Sequence, residues 1–166
     1  PSSRLELSER SLDLLRRDVV MAAAPPVGAA MRAPPVAAGA MPPKDLADAI
    51  EAHREEFMAL LAAEAGKTLP DGLAEVREAA DFCRYYAAQG RELFGEGEPM
   101  PGPTGESNTL SLRGHGVFIA ISPWNFPLAI FLGQVTAALM AGNAVVAKPA
   151  EQTPLIAAEA VRLLHE

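Results

Sequence analysis

The chain has 166 residues, enough for one domain with a hydrophobic core. Its formal net charge of -7 excludes a generic nucleic-acid or anionic-membrane surface, and its single cysteine excludes an internal disulfide framework and fits a reducing compartment. No stretch has the make-up of a signal peptide, and the most apolar segment, 128–141, falls short of the ~20 residues a membrane span needs.

Pro1–Arg17 carries a weak helical pattern through Leu5, Leu12 and Leu15. Val19–Pro43 is rich in Ala, Pro, Gly and Met; its pairs Pro25-Pro26, Pro34-Pro35 and Pro42-Pro43 interrupt any long helix, so residues 1–43 read as an irregular lead-in. Regular structure begins near Asp45. Leu46, Ile50, Phe57, Leu60 and Leu61 recur at helical spacing opposite Glu51, Arg54, Glu55 and Glu56, and Gly66 supplies the stop. A second amphipathic helix is expected from about Asp71 to Gln89, with Leu73, Val76, Ala80, Cys83 and Tyr86 on its inner stripe. Gly95–Gly105, with Pro99, Pro101 and Pro103, reads as a loop. Thr109–Arg113 and Val117–Ile121 read as strands separated by a Gly114-His115-Gly116 turn.

Val117–Ile121 is an unbroken apolar run, the pattern of a strand buried on both faces of a parallel sheet. Ser122-Pro123-Trp124-Asn125 then forces a turn, and Pro127 suits the first position of a helix over Leu128–Ala141 that stops at Gly142-Asn143. A short strand, Ala144–Ala147, follows. Thr153-Pro154 then reads as an N-cap and first helical position for a last helix, Leu155–Leu164. Strand–helix–strand–helix is the repeating unit of a doubly wound parallel sheet, here incomplete, and such sheets place ligands at strand C-termini. The fold class is therefore α/β, with N-terminal helices before the first two units of a Rossmann-like domain over residues 44–166.

The candidate chemistry gathers at that edge. Asn125 stands at the strand-to-helix turn, where its amide could donate to a ligand oxygen or cap the helix, and N–H groups at the helix start would support a nearby anion. Lys148, at the same edge, suits a phosphate or ribose hydroxyls, or is simply solvated. Glu151 suits ribose hydroxyls or the start of the last helix. Neither strand is followed by Gly-x-Gly-x-x-Gly, so a cofactor here does not lie on the usual glycine-rich loop. Cys83, on an apolar helical stripe, reads as a buried structural thiol rather than a nucleophile. His53, His115 and His165 have no ligand spacing, so no metal site is expected. Glu78 and Phe82 share a helix face, either toward a cleft or in surface and core roles respectively.

Three blocks carry a family resemblance: Glu64-Ala-Gly-Lys-Thr-Leu-Pro-Asp; Glu75-Val-Arg-Glu-Ala-Ala-Asp-Phe-Cys-Arg-Tyr-Tyr-Ala-Ala-Gln; and the run from Gly116 through Pro-Trp-Asn-Phe-Pro to Lys148-Pro-Ala-Glu-Gln-Thr-Pro. Over about residues 45–166 the chain resembles the aldehyde dehydrogenase superfamily, in the branch of the L-glutamate γ-semialdehyde (Δ1-pyrroline-5-carboxylate) dehydrogenase part of bifunctional proline utilization A. The resemblance implies that Ile121, Ser122, Pro123 and Trp124 line an NAD(P)+ site and that Lys148 and Glu151 contact the adenosine ribose. It further implies that Asn125 binds the aldehyde-derived oxyanion and that Phe126 and Glu78 border the substrate channel. NAD is the implied cofactor, with FAD only where a proline dehydrogenase domain precedes this segment. The implied reaction is attack of a cysteine thiolate on the aldehyde, oxidation by NAD+, and thioester hydrolysis with a glutamate base. Cys83 does not match that nucleophile, and the matching positions for nucleophile and base lie beyond Glu166, so the chain by itself is expected to be an inactive fragment. The resemblance also implies a cytoplasmic protein of bacterial type, homo-oligomeric at full length and compatible with peripheral membrane association, with a small aldehyde as partner and no nucleic-acid contact by this segment. Two other readings stand beside it: a non-catalytic interaction module completed by another chain, and an aldehyde dehydrogenase of different substrate specificity.

Overall fold

The computed structural model describes residues 20–21 and 43–165, so the expected helical pattern of Pro1–Arg17 lies outside the described residues. The helix expected from Asp45 to Gly66 forms as two, α1 (Pro43–Ala52) and α2 (Arg54–Ala65), with a bend at His53, whose φ is -96° and ψ 19°. Hydrogen bonds continue through the bend, His53 N–H to Ala49 O at 3.0 Å and Phe57 N–H to His53 O at 3.1 Å. Leu46, Ala47 and Ile50 of α1 and Phe57 and Leu61 of α2 are all fully buried. Gly66, at φ 65°, ends α2 in the left-handed region that glycine adopts without a side-chain clash.

The next helix, α3 (Leu69–Leu93), is longer at both ends than its apolar pattern suggested. Thr68 caps it by accepting the Asp71 N–H at 3.3 Å. Val76, Ala80 and Cys83 are buried as expected, but Leu73 is 36% exposed. The inward stripe instead follows small residues, Gly72, Ala79, Ala87 and Gly90. The reason is close helix contact: a Cβ on Gly90 would run into the Met140 side chain, and one on Gly133 would lie 3.3 Å from the Phe82 ring.

Residues 95–105, expected as loop, contain β2 (Glu98–Met100), which pairs antiparallel with β3 (Asn108–Leu110). The strand expected at 109–113 is thus shorter, and its partner is β2 rather than Val117–Ile121. Proline at position 99 did not prevent pairing, because edge strands tolerate a residue without an N–H.

The main sheet has three strands in the order β1 (Val20–Met21), β5 (Ala144–Lys148), β4 (Val117–Ile121). Strands β4 (Val117–Ile121) and β5 (Ala144–Lys148) run parallel in the register Val117↔Ala144 to Ile121↔Lys148. The two-residue β1 (Val20–Met21), from the stretch expected to be irregular, pairs antiparallel with β5. Helix α4 (Ala129–Met140) crosses between the parallel strands and α5 (Pro154–Leu164) follows β5, as the strand–helix–strand–helix reading required. Pro127 lies in the turn before α4, not at its first position. One side of the sheet meets the helices, where Ala120, Val145 and Ala147 are buried. The other side is open: Val117 is 64% exposed, Ile119 71% and Ile121 65%. The expectation that β4 is buried on both faces is therefore corrected, since it is an edge strand with one bare face among the described residues. No helix among them is long and apolar enough to cross a membrane.

Asn143 locks the start of β4 to the end of α4. Its Oδ1 accepts the N–H groups of His115 at 2.5 Å and Gly116 at 2.9 Å, while its Nδ2 donates to Ala138 O at 3.0 Å. With this side chain only 6% exposed, Asn143→Ala strands two backbone donors, and we expect it to cost about 1–3 kcal/mol of stability in urea unfolding. An unchanged midpoint would mean that water replaces the amide without penalty.

Candidate active site

The parallel register brings Ile121 beside Lys148 at the C-terminal edge of the sheet, and Ser122 N–H extends the ladder to Lys148 O at 3.1 Å. From there the chain turns outward. Ser122 is buried, and its Oγ donates to Gln134 Oε1 at 3.1 Å while Gln134 Nε2 donates to Ile121 O at 3.3 Å. Gln134 therefore pins the turn to α4. The sequence reading missed it, although the only polar side chains on this otherwise apolar helix are those of Gln134 and Thr136. Beyond the pinned serine, Trp124 is 56% exposed and Phe126 38%, with Asn125 exposed between them. The site residues from Ile121 to Phe126 thus form one projecting turn, with Lys148 alongside.

Asn125 is not the cap of α4. The N-cap position is Leu128, and the N–H groups of Leu128 and Ala129 donate to Glu75 Oε1 at 2.9 and 3.3 Å. This corrects the expectation that the helix start supports an oxyanion, because those donors are already occupied by a carboxylate from α3. It also leaves the Asn125 amide exposed and without a hydrogen bond among the described residues. Glu75 is 1% exposed, and its second oxygen lies 3.0 Å from Lys67 Nζ. That contact lacks the alignment of a hydrogen bond, so attraction between charges holds it. The same ammonium stands 3.9 Å from the centroid of the Phe126 ring, within cation–π range.

A second carboxylate acts on α5. Glu64 accepts the N–H groups of Leu155 and Ile156, both at 2.9 Å. Burial pushes its carboxyl above the ordinary range, and the two N–H groups partly oppose that shift. Thr153, expected as the cap, makes no capping bond, and its buried Oγ1 has no partner among the described residues. Glu151 is likewise not needed at the helix start. It lies 3.9 Å from Lys148 Nζ, with side chains 87% and 56% exposed, and Lys148 Nζ also donates to Pro149 O at 3.3 Å. Exposed pairs of this kind contribute little, so both groups can turn to a ligand.

Glu78 stands apart from this turn. It lies on α3 between Glu75, which reaches the start of α4, and Phe82, which packs on Gly133. It is exposed there and helps line a shallow hollow with Arg77, Asp81 and Tyr85. Among the described residues no cluster of three His, Cys, Asp or Glu side chains could hold a metal.

A profile of the aldehyde dehydrogenase family matches residues 18–166. The chain is 50% identical over 120 residues to the bifunctional protein PutA of Rhizobium meliloti, which covers 72% of this chain and 9% of that protein. It is 44% identical over 117 residues to the 1-pyrroline-5-carboxylate dehydrogenase of Anoxybacillus flavithermus, which covers 70% of this chain and 22% of that protein. A crystal structure of bifunctional proline utilization A superimposes with a TM-score of 0.73 at 72% identity, over 74% of this chain and 13% of that one. The chain therefore spans a minor part of each of these relatives.

Cys83 is fully buried on α3, and burial pushes its thiol up to about 12. As the thiolate is the reactive form, native Cys83 should label with a maleimide near pH 8 roughly a thousandfold more slowly than a free thiol, and at the ordinary rate once unfolded. Peptide mass spectrometry reads the adduct; rapid native labelling would contradict the assignment of Cys83 as structural.

Proposed function

The chain belongs to the aldehyde dehydrogenase family, and from that premise we propose that it supplies the oxyanion-binding amide and part of the cofactor site of an enzyme oxidising L-glutamate γ-semialdehyde, the open form of Δ1-pyrroline-5-carboxylate, to glutamate. The observation that carries this reading is the meeting of the Ile121–Phe126 turn, exposed at Ile121 and from Trp124 to Phe126, with Lys148 at one sheet edge. The relatives named PutA and 1-pyrroline-5-carboxylate dehydrogenase support the substrate.

Family membership implies a nicotinamide cofactor, and the residues present suit its adenosine half. Lys148 offers a donor and Glu151 an acceptor to vicinal ribose hydroxyls. Ile121, Pro123 and Trp124 offer a largely apolar wall, while the Ser122 hydroxyl is engaged with Gln134 and shapes the turn instead. The starts of α4 and α5 are taken by Glu75 and Glu64, so the phosphates of such a cofactor are held by other groups. When bound, the cofactor supplies the two-electron oxidant.

Asn125 carries the chemical role. Addition of a thiolate to an aldehyde turns the carbonyl oxygen into an oxyanion, and an amide N–H already in place stabilises that charge without reorganising. The thiolate is not Cys83, which is buried and protonated. We assign the nucleophile and the general base to parts of the longer protein, so these 166 residues alone are inactive. Phe126 borders the aldehyde path, whereas Glu78, set apart from the turn, reaches that path only if the substrate extends over the hollow on α3. A second reading, a module completed by another chain, draws on the bare apolar face of β4. Light scattering separates the two: a defined heterocomplex favours the module.

Two measurements test the main reading. In the full-length protein, Asn125→Ala should lower kcat with pyrroline-5-carboxylate about 10²–10³-fold. Wild-type kcat in that variant would remove the oxyanion role. In the 166-residue chain, NAD+ should quench Trp124, its only tryptophan, saturably, and Lys148→Ala should weaken binding about tenfold. Absence of saturation would place cofactor binding wholly on the longer protein.

A further inference from the structure

We propose that Lys67 and Glu75 are positioning residues for the reaction, holding the Asn125–Phe126 turn through a buried ion pair; the inference rests on the reading of Asn125 given above. Neither residue belongs to the exposed cluster at the sheet edge. Glu75 comes from α3 and Lys67 from the short link between α2 and α3, with side-chain exposures of 0% and 14%.

Stability alone does not account for the pair. Removing two charges from water carries a large desolvation cost, and apolar residues of similar volume commonly serve the fold as well or better. What distinguishes this pair is where its contacts go. Glu75 Oε1 takes the N–H groups of Leu128 and Ala129, three and four residues after Asn125. Lys67 Nζ sits against the ring of Phe126, the residue next to Asn125. Among the described residues, their side-chain contacts beyond their own pairing thus end on Phe126 and on the start of α4, on the C-terminal side of Asn125.

The lysine is presented from a stiff base. Gly66 ends α2 in the left-handed conformation, Thr68 caps α3, and between them Lys67 N–H donates to Leu61 O at 3.2 Å. The turn is consequently held at three points: Ser122 by Gln134 and Lys148, Phe126 by Lys67, and Leu128 by Glu75. Among the described residues Asn125 makes no bond of its own, so its direction follows from its neighbours. A donor aimed at a developing oxyanion is sensitive to displacement, and misplacement by about 1 Å costs on the order of a hundredfold in rate.

The test uses the full-length enzyme and the double substitution Lys67→Met with Glu75→Gln. The pair becomes neutral, the glutamine oxygen still accepts the α4 donors, and no lone charge stays buried. We expect its melting temperature to stay within about 4 °C of wild type. We expect kcat with pyrroline-5-carboxylate to fall about tenfold to a hundredfold, and KM for NAD+ to stay within about twofold, because the Lys148 edge is untouched. Lys67→Arg, which can pair with Glu75 and stack on Phe126, should recover kcat to within about threefold of wild type. A folded double variant with wild-type kcat would show the pair to be structural only and overturn the inference. Should the double variant fail to fold, Glu75→Gln alone decides, because it keeps an oxygen for the α4 donors while removing the ion pair that sets Lys67 against Phe126; a wild-type kcat there overturns the inference equally. Loss of rate in Asn125→Ala establishes the underlying reading separately, whereas an inactive wild type would overturn that reading and this inference with it.

Discussion

An α-helix begins with N–H groups that have no partner within the helix, and a buried helix start must find acceptors elsewhere. In this protein two glutamates of the helical layer provide them. Glu75 takes the first donors of α4 and Glu64 those of α5. Both helices begin just after strands of the parallel sheet, so each carboxylate ties the helical layer to the edge where the sheet presents its ligand-facing turns. The acceptors are charged, which strengthens the bonds and opposes the positive end of the helix dipole.

That arrangement decides how the site can handle negative charge. A free helix start after a strand is a ready anion site, and in many α/β proteins it receives a phosphate. Here the protein's own carboxylates already fill both. Of the residues proposed for the site, the Asn125 amide has no hydrogen bond among the described residues, and the Lys148 ammonium has only an exposed pair with Glu151 and a bond to Pro149 O. An amide suits a developing oxyanion, because it donates without the strong hydration of a cation. A lysine beside a glutamate suits a pair of hydroxyls.

Much of the fold was legible because it is written locally. The Val117–Ile121 run, the Pro-Trp-Asn-Phe-Pro turn, the apolar helix ending at Gly142-Asn143 and the next β-rich run each carry their own signal within a few residues, and the strand–helix–strand–helix order follows from them. The misreadings share a different cause. The caps on α4 and α5 come from residues 53 and 91 positions away, so local propensity named Thr153, and left Asn125 open as a cap, where distant carboxylates do the work. Leu73 looked like core by periodicity, but close approach of α4 selected glycine and alanine positions instead. The β2–β3 pairing was hidden by prolines that only an edge strand accommodates. The burial of β4 was read from composition, while its exposure depends on what lies across the sheet. Among site residues, the turn and Lys148 were visible as residues next to strand ends. Gln134 and the Lys67–Glu75 pair were not, because their importance lies in what they hold.

The same distinction bears on how an exposed asparagine with no hydrogen bond among the described residues would serve in the role proposed for it. An amide with a full set of internal hydrogen bonds would be well fixed but would have nothing left to donate. One without neighbours to hold it would have donors but no direction, and would lose its advantage to the entropy of ordering. The turn here separates the two requirements. Ser122 and Leu128 carry the hydrogen bonds, buried on either side, and the intervening residues project from them. The backbone between those anchors is short enough that fixing both ends restricts its middle. Proline at 123 and again at 127 removes further freedom without adding any donor that would need a partner. The asparagine can therefore keep its N–H groups unpaired while its position is set by bonds it does not make.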